Sequence, residues 1–181
     1  NESSIVSHVT TGDFKVSDDN KVAMNAMIMV LNEKLRENIR EERSGVYAIQ
    51  AWHIIESNPK PFYTLRIWMS CAPERVDELN TAIFATIDSI RLGLFDERYV
   101  VSSKAVLEKR FEENIMNNDY WLNNMENNAL SSTPIDGFLG NPSRYAKINK
   151  QSITKAAKQY LVFDKNKLSM IMDPEIPIPQ E

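Results

Sequence analysis

At 181 residues, with 43% hydrophobic and 25% charged side chains, the chain has ordinary globular composition; this excludes disorder and collagen-like repeats and fits one domain. Its 21 Lys and Arg against 25 Asp and Glu leave a formal charge of −4, which argues against a duplex-binding surface and hence against a nucleic-acid partner. A lone cysteine, Cys71, permits no intrachain disulfide and no cysteine-based zinc site, and no apolar run is long enough to span a membrane.

The chain opens Asn1-Glu2-Ser3-Ser4 with no initiator Met, and its first expected element follows at once, as in a module cut from a larger polypeptide. Ser4 to Thr10 alternates as a strand does, with Val6, His8 and Thr10 on one face and Ile5, Ser7 and Val9 on the other. Gly12-Asp13 is expected to end it. Ser17-Asp18-Asp19 then provides a cap and negative charge for a helix from about Asp18 to Glu42. Met24, Met27, Ile28, Leu31, Leu35 and Ile39 form one apolar stripe along it, which reads as core. Ser44-Gly45 breaks the helix, with Gly45 suited to a left-handed terminus.

Val46 to Ile55 and Phe62 to Cys71 are rich in strand formers and read as a hairpin closed by the loop holding Pro59 and Pro61. Trp52 and Trp68, on neighbouring strands, are expected as a cross-strand pair. Pro73 opens the next helix, whose stripe is Val76, Leu79, Ile83, Ile87 and Ile90, and Gly93 ends it. From Asp96 to Asn128 there is neither Gly nor Pro, which predicts one long helix or two joined near the Asn-rich stretch at Asn117. Ser131 to Pro142 is a loop, followed by short helices at about 143–149 and 152–160 and a last strand from Lys167 to Met172. Residues 174–181, with Pro174, Pro177 and Pro179, form an extended tail after a single module over 1–173. The order β-α-β-β-α-α-α-α-β predicts an α+β two-layer sandwich, a mostly antiparallel sheet with helices on one face.

Much catalytic machinery is missing. No H-E-x-x-H or H-x-x-E-H places two imidazoles on a helix, and there is neither G-x-S-x-G nor a Gly-rich phosphate loop. His8 and His53 fall on expected strands and read as structural or surface residues, and Cys71 as a small buried hydrophobe. Tyr120 and Trp121 fit packing or the wall of a binding chamber. The informative stretch is Leu35 to Tyr47. A charged helix ends with Arg40 in its last turn, one Gly reverses the chain, and Tyr47 follows at the start of a central strand. Two donors then meet at one sheet edge, able to bind a peptide carbonyl or carboxylate. The plainer reading is that Arg favours a helix C-terminus through the dipole and Tyr is a common strand residue.

The segment Arg40-Glu41-Glu42-Arg43-Ser44-Gly45-Val46-Tyr47 resembles the R-E-x-x-G-G-V-Y stretch of the pitrilysin/insulinase family of zinc metallopeptidases, with Ser44 in place of the first Gly. Further likenesses come in the family's order. Thr11-Gly12-Asp13-Phe14 resembles its strand–Gly–helix entry, and Cys71 to Leu79 the helix after its hairpin. Asn117 to Leu122 resembles the N-x-Y-W-L segment of bacterial members, and Ile153 to Leu161 the closing helix.

The resemblance implies a fold of the LuxS/processing-peptidase type. It implies a place as the last of four modules in two halves that close around a peptide. Zinc would then sit in the N-terminal, H-x-x-E-H-bearing half of the same polypeptide or on a partner subunit. This chain would hold no cofactor and no catalytic residue of its own. Arg40 and Tyr47 would bind the backbone of a peptide substrate. An alternative is a relative that has lost proteolysis and serves as a structural or assembly subunit. Exported bacterial members point to the periplasm or cell envelope.

Overall fold

A computed structural model describes residues 3–41, 46–57, 59–163 and 167–172, with residues 40 and 41 described by their backbone alone. Strand β1 (Ser4–Asp13) leads through a short turn to helix α1 (Asp18–Leu35), which runs on as a π-helical segment (Arg36–Glu41). The hairpin β2 (Val46–Glu56) and β3 (Phe62–Cys71) follows, then a 3₁₀ turn at Pro73–Arg75 and α2 (Val76–Arg91). Helices α3 (Glu97–Asn114), α4 (Asn118–Leu130), α5 (Asn141–Ala146) and α6 (Lys150–Tyr160) precede β4 (Lys167–Met172). The four strands form one antiparallel sheet in the order β2-β3-β1-β4. The α+β sandwich expected from the pattern is the architecture observed.

Alternation decides which face is covered. Val6, His8 and Thr10 of β1, and Tyr63, Leu65, Ile67, Met69 and Cys71 of β3, are buried against the helices. Residues of opposite parity, Trp52, Thr64, Arg66 and Trp68 among them, share the other face. Helix α1 supplies the centre of the core: Met24, Met27, Leu31 and Leu35 are all fully buried. Its start is set by Ser17, whose side chain accepts from the Asn20 amide, with Asp18 and Asp19 in the first turn. Asn117 caps α4 by accepting from the Asp119 amide, so the Gly- and Pro-free stretch is two helices broken at 115–117.

Four expectations need correction. Strand β1 continues past Gly12 to Asp13. A Cβ at Gly12 would lie 3.0 Å from Tyr63 Cε1, so this glycine makes room for a cross-strand ring inside the strand, which ends at Asp13. Trp52 and Trp68 do not face each other: Trp52 pairs with Arg66, whose guanidinium lies 5.6 Å from the indole, and Trp68 pairs with Gln50. Strand β2 lies at an edge of the described sheet, not at its centre. The last two helices begin earlier than expected, at Asn141 and Lys150, the second through a capping box between Asn149 and Ser152. Gly45 and the tail fall outside the described residues.

The β2 edge is closed by a side chain. The Asn32 carboxamide donates to the Ala51 carbonyl at 2.8 Å and accepts from the Ala51 amide at 2.7 Å, so α1 takes the place of a neighbouring strand at that residue. Asn32→Ala leaves both groups unsatisfied and should cost about 1–3 kcal/mol in urea unfolding. It should also increase self-association measured by sedimentation. Unchanged values for both would show that the edge needs no closure.

Candidate functional site

The expected Arg40 and Tyr47 fall on two irregular pieces of backbone, one before and one after residues 42–45, which lie outside the described residues. On the first side, α1 widens at its end. Residues 36–41 adopt π geometry, in which each amide bonds five residues back and the turn broadens. Three consecutive side chains pin this segment to three different partners. The Glu37 carboxylate accepts a short bond from the Tyr99 hydroxyl and a 2.6 Å charged bond from Arg98. Asn38 donates to Thr86 Oγ1 on α2 at 3.2 Å. Ile39 is fully buried in the core. Arg40 is the next residue of this segment. Its backbone is placed here, and its side chain lies outside the described residues.

On the second side, β2 starts with a bulge. Val46 pairs with Cys71 and Ala48 with Ser70, which leaves Tyr47 as the extra residue. A bulge leaves one residue out of the ladder and re-aims its side chain. Tyr47 is 48% exposed, against the near-complete burial of Leu65, Ile67 and Met69 on the adjacent strand. The ring is therefore available at the strand's outset, and it is not used as core. The structure describes Tyr47 and the backbone of Arg40; residues 42–45 between them, and the Arg40 side chain, lie outside the described residues.

Tyr99 is the residue that sequence reading missed. It is 5% exposed and sits under two cations, with Arg98 4.8 Å and Lys34 5.5 Å from its ring centre. Arg98 also donates to the Tyr99 hydroxyl at 3.0 Å. Burial, and then the hydrogen bond to Glu37, hold the phenol pKa above its ordinary value, so Tyr99 stays a neutral donor to the carboxylate. The only sequence signal was an aromatic beside Arg98 in the first turn of α3.

Beside this region an open cleft of about 810 Å³ runs along α1, between residues 49–53 of β2 and helices α3 and α4. His53 lies on its wall without a hydrogen-bond partner among the described residues, and burial pushes its pKa down to about 4. The other histidine is part of a closed network. His8 bonds Ser169 Oγ at 2.8 Å and Asn80 Oδ1 at 2.5 Å and stacks 4.9 Å from Phe84, tying β4 and α2 to β1. Tyr120 and Trp121 pack edge-on against Phe138 at 5.7 and 5.3 Å. Cys71 is buried. Among the described residues no three His, Cys, Asp or Glu side chains gather where a metal ion could bind, so they do not fit a zinc ion. Among them, too, no helix is long and apolar enough to cross a membrane.

Residues 8–107 match the family described as the peptidase M16 inactive domain, and the chain belongs to that family. It is 31% identical over 87 residues to the probable zinc protease PqqL of Haemophilus influenzae, a match over 48% of this chain and 9% of that protein. The periplasmic protease PqqL of Escherichia coli superposes with a TM-score of 0.80 at 20% identity, over 96% of this chain and 19% of the other. A peptidase M16 inactive domain from Pseudomonas fluorescens superposes with a TM-score of 0.78 at 10% identity, over 97% of this chain and 42% of the other. These structural likenesses concern the fold. The chain spans about a tenth to a fifth of the length of the PqqL proteins it matches.

The histidines set a pH dependence of stability. His53 titrates near 4 in the fold and His8 is also held below its usual value by burial, whereas both titrate near 6.5 when unfolded. Protonation therefore favours the unfolded chain. The penalty is absent above about pH 6.5 and grows as the pH falls toward 4. Urea unfolding of His53→Asn should lose less stability than the parent between pH 6.5 and 4, and identical slopes would remove His53 from the account.

Proposed function

We propose that this chain is the peptide-binding, metal-free module of an M16-type zinc endopeptidase, the last of four such modules. In this reading Arg40 and Tyr47 hold the backbone of the substrate and the module helps to close the chamber around it. One observation supports the reading: Tyr47 stands exposed on a bulge at the start of β2. A tyrosine kept for stability alone has no need of a bulge that lifts it off the ladder.

The division of labour follows from chemistry. A zinc site would lie in the other half of the polypeptide or on a partner subunit, and the metal bound there would supply water activation. This chain's residues bind and orient. The Tyr47 hydroxyl donates to a substrate carbonyl, and its bond strengthens as that oxygen gains negative charge. The Arg40 guanidinium donates to a neighbouring carbonyl and fixes the peptide's register. The PqqL relative of known structure is described as periplasmic, and the same compartment or the cell envelope is proposed here.

In the polypeptide that joins this chain to its zinc-binding half, Tyr47→Phe should lower kcat by about 10²–10³-fold, the usual effect of losing one donor to a developing oxyanion. Because the ring is half exposed, thermal unfolding should scarcely change. Full turnover in that variant defeats the assignment.

A further inference from the structure

We propose that the helix-free face of the sheet is an interface whose occupant is an amphipathic helix of the longer polypeptide, carrying one carboxylate that meets Arg66. The inference rests on the reading of this chain as one module among several, and not on the roles of Arg40 and Tyr47.

Composition sets this face apart. An antiparallel sheet with one wet face places polar residues on it. The helix-free side of this sheet instead carries Ile5, Val9, Trp52, Ile54, Phe62 and Trp68. Strand β4 adds Leu168, Met170 and Met172, all exposed, which pair with Val9, Ser7 and Ile5 of β1. Contiguous apolar surface on this scale marks an interaction site.

The relief of the face fits a helix. Ser7 and Val9 of β1 have shorter side chains than Met170 and Leu168 beside them on β4. They are also shorter than Trp68 and Arg66 beside them on β3. Strand β1 is thus the floor of a trough two strand spacings wide, or about 10 Å. An α-helix with its side chains is about 10–12 Å across, so one helix laid along β1 fills the trough.

Charge then defines the occupant's chemistry. Arg66 is exposed and is the one cation that the described strands place on this face. Its guanidinium lies 5.6 Å from the Trp52 ring and has no carboxylate partner among the described residues. The acids of this face, Asp13 and Glu56, stand at its Phe62 end, and Asp13 is engaged by Lys60 at 2.8 Å. A planar guanidinium resting on an indole is a preoriented fork for a carboxylate. Covering it with apolar side chains alone would bury an unpaired charge. The helix that covers the trough therefore brings an Asp or Glu within its apolar stripe. The chain covers 19% of the Escherichia coli PqqL chain on which it superposes, and a polypeptide of that length has ample sequence to supply such a helix.

The test uses the joined polypeptide. Met170→Cys puts a reporter thiol on the trough wall, while Cys71 is buried and contributes no background. Its reaction with a maleimide should run about tenfold slower than that of Glu108→Cys, on the exposed side of α3, and the two should match in urea. Adding Arg66→Glu should bring the two native rates together, whereas Arg66→Lys should keep the protection. In Arg66→Lys, carbodiimide coupling and mass spectrometry of the digest should join the new amine to an Asp or Glu outside residues 1–181, in a segment with apolar residues at helical spacing. A Met170→Cys thiol as reactive as the control overturns the cover. A protected thiol indifferent to Arg66→Glu overturns the carboxylate. Absent coupling, or coupling within residues 1–181 in one chain or between two copies, overturns the proposed occupant. None of these readouts is turnover, so failure of the Arg40 and Tyr47 reading leaves them unaffected.

Discussion

The end of α1 and the start of β2, each held out of its regular period, are the constraint on which this structure turns. An ordinary helix end followed by an ordinary strand would present whichever side chains the 3.6- and 2-residue periods happened to place there. Here both periods are broken, by a π-segment on one side and a bulge on the other. The interruptions are independent in cause. The first is held by Glu37, Asn38 and Ile39 against three neighbours; the second comes from one extra residue in the pairing with β3.

The rest of the module holds these two stretches in place. Helix α1 is anchored along its length by a buried stripe and near its end by Asn32, which completes the edge of β2 at Ala51. Helix and strand are thus joined by hydrogen bonds. Toward the β4 edge of the sheet, His8 ties β4 and α2 to β1 through Ser169 and Asn80. The imidazoles in this fold are a structural tie and a neutral cleft residue.

Much of the fold was legible because it rests on local rules. The Met24, Met27, Leu31 and Leu35 stripe, the Ser17 cap, the alternation in β1 and the cap at Asn117 each follow from residues within a turn or two of one another. What stayed hidden depends on partners far along the chain. The π-segment contains no Gly or Pro to mark it, and its ties reach Thr86, Arg98 and Tyr99. Register was equally hidden: a shift of two residues separates the expected Trp52–Trp68 pair from the observed Trp52–Arg66 pair. Gly12 looked like a stop because its use, space for the Tyr63 ring, lies on another strand. The Arg40 and Tyr47 candidates came from spacing and resemblance. The exposure of Tyr47 and its bulge are properties that only the fold supplies.

The central claim is that Arg40 and Tyr47 act on one stretch of peptide backbone. A double-mutant cycle on kcat/KM, with Arg40→Ala, Tyr47→Phe and the pair together in the joined polypeptide, measures this directly. Residues that share a substrate should show a coupling of about 0.5–3 kcal/mol, so that the double variant is impaired much less than the two single losses multiplied together. Losses that simply multiply, to within about 0.3–0.5 kcal/mol, would mean that the two side chains do not work on a common ligand.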